Sequence, residues 1–338
     1  MPTDDILAYN VQYFDERAQL VREYRLNSYK DCTLELLDTK CNKMYLKRIY
    51  CPEVTRDRLY VGSVVNVFGR ALQVLAPADL GTGLYAEAMT SSATGCVRVG
   101  SPADLPGVVG ALQANFTSLR ALKTLALDEL EPGLRDALTR GSRGGVAVYV
   151  DVYTHGSTSA AADLERVLSA CAGVEAALVG VDASLLGRNG ATVELEAGAP
   201  CTLCLVKPHV VEERKLGDVL TAIVESGFEV AGFQLVTLDA KMAHEFFAPY
   251  KGVMPRHEDI VAHCLEGAAL AVQIRSDVAS FREFCGPADI KLAQALRPKS
   301  LRATFGKSVV KNAVHCTDLD EDGFLECNYY FNVLQGLA

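Results

Sequence analysis

The segment Asn312–Asp318, which reads Asn-Ala-Val-His-Cys-Thr-Asp, combines residue types that suit phosphoryl transfer. It places the imidazole of His315 three residues after a side-chain amide and just before a hydroxyl and a carboxylate. Arg282 and Arg302 precede it in the chain. A neutral imidazole can attack phosphorus when guanidinium groups position the phosphate and neutralise its oxygens. The alternative for a single histidine is a buried structural side chain, so the residues around His315 must decide between the two.

Those residues resemble the nucleoside diphosphate kinases from Thr202 to Phe331. The family motif is a lysine-proline pair after the first strand and a later Asn-x-x-His, which here are Lys207-Pro208 and Asn312 to His315. Further positions match other functional residues of that family: Tyr250, Arg282, Arg302 and Glu326. Seven positions in the right order make this a specific match.

The resemblance implies a role for each of these side chains. His315 would accept the γ-phosphoryl group and pass it to a second nucleotide in a ping-pong cycle, and Glu326 would orient the other imidazole nitrogen. The remaining contacts to nucleotide would come from Lys207 and Tyr250 near the phosphates and the histidine, Arg282 and Arg302 on the terminal phosphates, and Asn312 on the ribose and phosphate. Mg²⁺ would bridge the phosphates of ATP or another nucleoside triphosphate, held mainly by nucleotide and water. No metal site built from side chains alone is expected.

One departure from the family pattern concerns the base. The family has an aromatic residue that stacks on the base after its tyrosine, whereas this chain has the shortened stretch Met254–Glu258. Base stacking is worth about 1 to 3 kcal/mol in nucleic-acid systems. We therefore expect weaker nucleotide binding than is usual for the family.

Composition bounds the class of protein. The 338 residues suffice for two or three domains, and with 49% hydrophobic residues the chain is an ordinary globular protein. A net charge of -9 argues against a nucleic-acid partner. The acidic start, Met1-Pro-Thr-Asp-Asp, is unlike a secretory signal, and no long apolar run predicts a membrane span. Eleven scattered cysteines favour reduced thiols in the cytoplasm.

Residues 1–90 read as a small all-β domain built of hairpins. Six apolar stretches alternate with turn-forming residues: Val11–Phe14, Leu20–Tyr24, Cys32–Leu37, Met44–Ile49, Ser63–Phe68 and Ala71–Leu75. No histidine occurs before His155, so no catalytic group of that type lies here.

Within this region, Tyr45–Arg48 and Gly62–Arg70 resemble the DM-ten domain of proteins of the ciliary axoneme. A DM-ten domain ahead of kinase-like domains is similar to the axonemal type seven nucleoside diphosphate kinases. That resemblance implies association with doublet microtubules, with tubulin and other axonemal proteins as partners and the cytoskeleton of the cilium or flagellum as location. The alternative for Lys47, Arg48 and Arg70 is a solvated strand edge that prevents aggregation.

Residues 91–198 resemble a degenerate copy of the C-terminal domain, residues 199–338. Cys96–Pro102 parallels Cys204–Pro208, with glycine or serine where the lysine belongs, and no histidine lies between Gly156 and Pro200. We expect α/β packing without a phosphoryl acceptor. Two small-residue stretches, Ala76–Thr94 and Gly187–Pro200, read as linkers.

In the C-terminal domain the apolar spacing predicts an α+β, ferredoxin-like (split βαβ) order. Strands are predicted at Thr202–Val206, Phe228–Leu238, Ala268–Ile274 and Leu325–Phe331, the last carrying Glu326. Helices are predicted at Leu216–Glu225, ending before Gly227, at Ala240–Phe247 with Asp239 as N-cap, at Ile260–Leu265 and at Ala279–Phe284.

Several other patterns are rejected as sites. Asp318–Gly323 matches half of a calcium loop, but Tyr329 stands where the bidentate glutamate belongs. Cys201 and Cys204 have zinc-like spacing but no second pair, and in a strand their thiols would point to opposite faces. The remaining histidines of this domain show no partner in the sequence and are interpreted as surface or structural residues: His209, His244, His257 and His263.

Two functional hypotheses follow. The first is a structural protein of the ciliary doublet that carries a nucleoside diphosphate kinase-like domain, which we favour because two of the three domains offer no site. The second is an active nucleoside diphosphate kinase that works through phosphorylated His315.

Overall fold

A six-stranded antiparallel sheet forms the N-terminal part of the protein. The computed structural model describes residues 6–15, 18, 20–139, 145–156, 159–186 and 200–336. The strands are β1 (Ile6–Asp15), β2 (Leu20–Tyr29), β3 (Thr33–Asp38), β4 (Lys43–Tyr50), β5 (Val64–Val67) and β6 (Arg70–Pro77), in the order β4-β3-β2-β1-β6-β5. Tyr9, Tyr24 and Leu26 are buried on its inner face. The predicted all-β hairpin region is confirmed, with each apolar stretch falling on one strand.

The predicted linker Ala76–Thr94 is wrong, because helix α1 (Leu80–Met89) and the first half of strand β7 (Thr90–Val99) occupy it. The Asp79 side chain caps the helix by accepting a hydrogen bond of 2.8 Å from the Thr82 amide. Thr82 in turn accepts a hydrogen bond of 2.9 Å from the Ala8 amide of β1. The helix is held by its cap and this contact rather than by an apolar stripe, so the pattern of hydrophobic residues gave no signal for it.

The middle and C-terminal regions each form a unit in which strands and helices alternate along the chain. The middle unit has β7, α2 (Leu105–Asn115), β8 (Ser118–Leu125), α3 (Pro132–Thr139), β9 (Val146–His155), α4 (Ala160–Ala170) and β10 (Val174–Val179). The C-terminal unit has β11 (Thr202–Val206), α5 (Pro208–Glu212), α6 (Leu216–Glu225), β12 (Glu229–Val236), α7 (Ala240–Phe247), α8 (His257–Cys264), β13 (Ala269–Arg275), α9 (Val278–Cys285), α10 (Ile290–Leu296), α11 (Leu301–Phe305), β14 (Val314–Cys316), α12 (Asp322–Asn328) and α13 (Leu334–Gly336).

Most predicted elements of the C-terminal unit are confirmed, including both bounds of β11 and α6. Asp239 caps α7 as predicted, and Gly227 follows α6 with a φ of 88°. The predicted strand Leu325–Phe331 is wrong, since this segment lies in α12 and a following π-helical turn, Tyr329–Val333. Burial recurs with helical spacing at Gly323, Glu326, Cys327, Tyr330 and Phe331. The strand beside β11 is instead β14, which carries His315.

The two units share one eight-stranded sheet with an internal two-fold pattern. Its order is β10-β7-β9-β8-β12-β13-β11-β14, so the middle unit mirrors the C-terminal one across the β8–β12 contact. Each half is an antiparallel ferredoxin-like sheet, as predicted. At the junction the Thr124 hydroxyl accepts a hydrogen bond of 3.0 Å from the Phe233 amide. One apolar core runs through both halves.

The symmetry also shows what the middle unit lacks. Strand β10 (Val174–Val179) pairs with β7 as β14 pairs with β11, and it carries no histidine. The strand equivalent to β14 therefore offers no imidazole to the middle unit. The predicted domain boundary near residue 90 stays a prediction, as does the one near residue 198, where the second predicted linker lies largely outside the described residues.

Helices α2 and α6 cross at a pair of glycines. A Cβ added at Gly217 would lie 2.6 Å from the Gly110 Cα, whereas a Cβ at Gly110 would lie 3.8 Å from the Gly217 Cα. Backbone atoms cannot move aside as a flexible side chain can, so a side chain is excluded at Gly217 but not at Gly110.

We expect Gly217→Ala to lower the free energy of unfolding by about 1 to 3 kcal/mol or more through overpacking. Gly110→Ala is the matched control and should be neutral or slightly stabilising, because alanine favours helix by about 1 kcal/mol over glycine. Urea denaturation of both variants checks this. Equal destabilisation by the two substitutions would contradict the close approach at Gly217.

Candidate active site

The candidate site lies where β11 ends beside the start of the antiparallel strand β14. Lys207 follows β11 directly, and its amide donates a hydrogen bond of 2.9 Å to the Ala313 carbonyl. Ala313 has a φ of 69°, a left-handed conformation that is uncommon for a residue with a Cβ. This turn sets the start of β14, so that His315 pairs with Leu205 and projects beside Lys207.

The His315 ring is held from one side by a carboxylate. Its Nε2 lies 3.3 Å from each carboxylate oxygen of Glu326. The rings of Phe246, Phe247 and Tyr250 meet it edge-on, with centroids 5.3 to 5.6 Å away. Because Glu326 only accepts when ionised, Nε2 carries the proton and Nδ1 keeps its lone pair.

Glu326 is itself fixed by two further donors. The Tyr250 hydroxyl donates to one oxygen at 2.5 Å and the Thr317 hydroxyl to the other at 2.9 Å. Burial alone would raise the pKa of Glu326, but the electrostatic interaction with His315 and the hydrogen bonds from His315, Tyr250 and Thr317 outweigh it and lower that pKa below its ordinary value. The carboxylate thus stays ionised and keeps the imidazole in one tautomer.

Lys207 is a buried cation, with only 2% of its surface exposed. Its Nζ donates a hydrogen bond of 2.9 Å to the Val310 carbonyl. Burial lowers the pKa of Lys207 to about 8, since the interior disfavours the charged form. A bound anion would stabilise the buried ammonium group, as water does for an exposed lysine.

The two arginines differ in their surroundings. Arg302 is buried and donates to the carbonyls of Gly286 at 2.6 Å and Val314 at 3.3 Å. Arg282 is half-exposed and contacts Asp318 through the backbone carbonyl at 2.9 Å and the carboxylate at 3.3 Å. Arg302 is therefore a fixed cation, whereas Arg282 can exchange a screened ion pair for another anion at small cost.

Asn312 has an unsatisfied buried group. Its side chain is 5% exposed, and its Oδ1 has no hydrogen-bond partner among the described residues. Such an atom costs about 1 to 3 kcal/mol when nothing pairs with it. A ligand that donates a hydroxyl or amide proton would recover this energy.

One cavity of about 1070 Å³ joins these side chains. Six of the seven predicted site residues line it: Lys207, Tyr250, Arg282, Arg302, Asn312 and His315. Glu326 stands behind His315 rather than in the wall. The outer rim adds Val253, Met254 and Leu319 together with the carboxylates of Asp318 and Asp320. The structure thus brings all seven predicted residues together, while their individual roles stay predictions.

Thr317 was the contact that sequence reasoning left without a role. Besides holding Glu326, its hydroxyl accepts a hydrogen bond of 3.0 Å from the Leu203 amide. The signal was present, because residues two apart on a strand share a face and Thr317 follows His315 by two. The sequence did not indicate a partner for Thr317, because the predicted strand at Leu325–Phe331 did not place Glu326 beside it.

Of the two alternatives for the other histidines, the structure favours the structural one for three of them. His209, His257 and His263 are buried, and each has a partner. His209 Nδ1 lies 2.9 Å from His263 Nε2, and His263 Nδ1 lies 2.7 Å from Glu266. Burial lowers the pKa of His209 to about 3, so its ring is neutral. These partners were invisible in the sequence because His209 and His263 stand 54 residues apart.

The site and fold define a class of domain: a ferredoxin-like domain in which a histidine faces a cationic cavity. A profile described as "Nucleoside diphosphate kinase" matches residues 200–335. A nucleoside diphosphate kinase of Chlamydia abortus is 30% identical over 136 residues, covering 40% of this chain and 94% of that protein. The chain belongs to the nucleoside diphosphate kinase family.

Similarity to one group of relatives extends over almost the whole chain. The proteins called "Nucleoside diphosphate kinase homolog 7" of Rattus norvegicus and Mus musculus are both 29% identical over 370 residues, 97% of this chain and 93% of theirs. Among solved structures, the nucleoside diphosphate kinase of Aquifex aeolicus is 28% identical and covers 40% of this chain and 97% of its own, with a TM-score of 0.38. No helix among the described residues is long and apolar enough to cross a membrane.

The lowered pKa of Lys207 predicts that nucleotide binding takes up a proton at alkaline pH. Above its pKa of about 8 the free protein holds Lys207 partly neutral, and a bound phosphate would favour the ammonium and raise that pKa. Calorimetry of ADP binding in buffers of different ionisation enthalpy measures the uptake. We expect uptake at alkaline pH and none near neutrality, where Lys207 is already charged.

Lys207→Arg is the matched variant for this experiment, because a guanidinium keeps its charge at every pH used. It should bind ADP without the alkaline proton uptake. Identical uptake in both proteins would show that another group titrates.

Proposed function

We propose that the C-terminal unit is a nucleoside diphosphate kinase that works through His315. The observation that carries this proposal is the arrangement of one ring: Glu326 holds Nε2, Nδ1 has no hydrogen-bond partner among the described residues, and the residue lines a cavity together with Lys207, Arg282 and Arg302. Nδ1 would form a bond to the γ-phosphorus as the bond to the β-phosphate oxygen breaks, releasing a nucleoside diphosphate. A second diphosphate would then take the phosphoryl group from the histidine.

Each side chain supplies a separate part of this reaction. Arg302 and Lys207 would neutralise oxygens of the transferring group from fixed, buried positions, where their charges act through a medium less screening than water. Arg282 would leave Asp318 to contact the outer phosphate. Glu326 would stabilise the positive charge that develops on the imidazole as Nδ1 is phosphorylated. Because these groups are already ordered, little reorganisation is needed at the moment of transfer.

Nucleotide recognition would rest on Asn312 and on the rim. The unsatisfied Oδ1 of Asn312 suits a ribose hydroxyl donor. The base would lie against aliphatic side chains such as Val253, which is 82% exposed, instead of a stacked ring. Mg²⁺ on the phosphates would supply charge neutralisation when bound, and Asp318 and Asp320 are two of the five acidic residues that line the cavity.

Incubation of the purified protein with γ-labelled ATP tests this proposal. We expect acid-labile, base-stable label on the protein that is lost in His315→Ala and retained in the control His155→Ala, whose histidine lies at the end of β9. Glu326→Gln should slow labelling by roughly 10²-fold or more, the range for losing a positioned proton-transfer partner. Absence of label on the unaltered protein at any nucleotide concentration would overturn the kinase assignment.

We further propose that the N-terminal sheet attaches the protein to the doublet microtubules of a cilium or flagellum. This rests on the DM-ten resemblance and on an exposed surface along β4. β4 is the outermost strand next to β3, and all but one of its residues are exposed. Lys43 and Lys47 lie on it beside the exposed apolar residues Met44, Ile49 and Tyr50.

This edge has the mixed character of a protein interface. Monomeric proteins rarely expose neighbouring large apolar residues to water unless these form an interaction surface. Arg48 is already engaged, since it contacts Asp31 at 2.8 Å and lies 3.7 Å from the Tyr29 ring centroid. The two lysines remain as the cations that would meet an acidic surface of tubulin, in a chain whose own net charge is -9.

The double variant Lys43→Glu/Lys47→Glu should bind salt-washed doublets at least about tenfold more weakly, because like charges then face the partner. Lys241→Glu/Lys291→Glu carries the same charge change on exposed residues of the C-terminal unit and should bind normally. Cosedimentation measures both, and circular dichroism confirms that they fold. Complete release of the unaltered protein by mild salt would count against the attachment.

A further inference from the structure

Two cysteines that no step of the proposed chemistry uses lie in contact at the start of β11. Cys201 precedes that strand and is half-buried, while Cys327 on α12 is fully buried. The two thiols are close enough to influence each other's ionisation, and both belong to the same apolar cluster. Both pack into the apolar cluster around Leu203 and Phe331, on the opposite face of the sheet from Cys204.

The backbone around this pair is closely packed. A Cβ added at Gly323 of α12 would lie 2.2 Å from the Cys201 carbonyl oxygen. Only glycine lets the helix approach the start of β11 so closely. The fold therefore holds the backbone at Cys201 close to the helix turn that precedes Cys327.

The reactivity of Cys201 differs from that of its partner. The neighbouring Cys327 thiol lowers the pKa of Cys201, against the opposing effect of burial, which favours the Cys201 thiolate. The same contact and burial raise the pKa of Cys327. The thiol that is favoured to ionise is thus also the one that solvent reaches, and the fully buried thiol beside it stays protonated.

Other cysteines of the chain lack this combination. Cys285 and Cys316 also influence each other's ionisation but are both fully buried. Cys41 is exposed, but its hydrogen bond to Asp38 raises its pKa, which leaves little thiolate. Thiolate character and access together decide which cysteine oxidises first.

We propose that Cys201 and Cys327 form a redox-sensitive pair that closes into a disulfide when the protein meets a hydroperoxide. The Cys201 thiolate attacks the peroxide oxygen, which breaks the O–O bond and gives a sulfenic acid and an alcohol or water. The Cys327 thiol then attacks the Cys201 sulfur, forming the S–S bond and releasing water. Overall two thiols are oxidised, one peroxide is reduced, and a dithiol reverses the change.

The bond would tether the start of β11 to the helix that carries Glu326. Because it closes a chain segment of more than a hundred residues, it should stabilise the C-terminal unit substantially. Cys327 follows Glu326 directly, so the tether would also hold the carboxylate against His315. The proposal does not depend on kinase activity, since stability and cross-linking report it on their own.

Treatment of the full chain with hydrogen peroxide, alkylation of the remaining thiols and peptide mapping test the pair. We expect a dithiol-sensitive cross-linked peptide containing Cys201 and Cys327, formed before any Cys285–Cys316 link, and a midpoint of thermal unfolding raised by several degrees. Cys41→Ser should behave like the unaltered protein. Cys327→Ser should instead accumulate a sulfenic acid at Cys201 that a dimedone probe labels.

Absence of the cross-linked peptide from the unaltered protein would overturn the proposal. So would formation of the Cys285–Cys316 link first, because access would then not be the deciding factor. If Cys327→Ser fails to fold, the mapping of the unaltered protein still decides the outcome.

Discussion

The carboxylate of Glu326 is the contact on which the C-terminal site depends. It is 8% exposed and accepts hydrogen bonds from three segments that are distant in sequence: Tyr250 after α7, His315 on β14 and Thr317 just beyond it. A buried carboxylate is costly unless it is paired and hydrogen-bonded. Here each donor offsets part of that cost, and the same bonds fix the imidazole. Loss of the carboxylate would leave the donors unpaired as well as freeing the ring.

The middle unit supports the site by shape. Its strand β8 extends the sheet at β12, and α2 packs on α6 at a crossing close enough to require Gly217. Gln113 of α2 accepts a hydrogen bond of 2.8 Å from the Leu216 amide, which lies at the start of α6. The middle unit has no histidine on β10, the strand equivalent to β14, and forms half of a continuous core. Burial of a shared apolar core is reason enough to keep it.

The cations of the cavity are held in advance rather than left loose. Lys207 and Arg302 donate to backbone carbonyls, and Arg282 contacts Asp318. Carbonyl groups carry no full charge, so they orient the two buried cations without neutralising them. The cavity therefore keeps a positive potential, and Arg282 is the cation that can change its partner. A buried cation loses its partners at a high energetic cost, whereas an exposed cation at the rim can exchange them for water or another anion at a small cost.

Much of the C-terminal unit could be predicted because its signals are local. The apolar spacing of Leu216–Glu225 and the cap at Asp239 each specify a helix within a few residues, and the motif from Asn312 to His315 predicted two residues that line the cavity. The strand predicted at Leu325–Phe331 was wrong because the apolar residues there fit the spacing of a strand as well as that of a helix. Packing against β11 favours the helix. The helix at Leu80–Met89 was missed because a cap and a tertiary hydrogen bond hold it.

The sequence by itself determined which side chains could do chemistry and most of the elements that carry them. Only the tertiary structure decided that β8 and β12 join two sheets into one, that His209 and His263 pair in the interior, and that Cys201 meets Cys327. Each of these contacts joins residues far apart in the chain. Which distant side chains meet depends on how whole sheets and helices pack against each other. A short stretch of sequence does not contain that information.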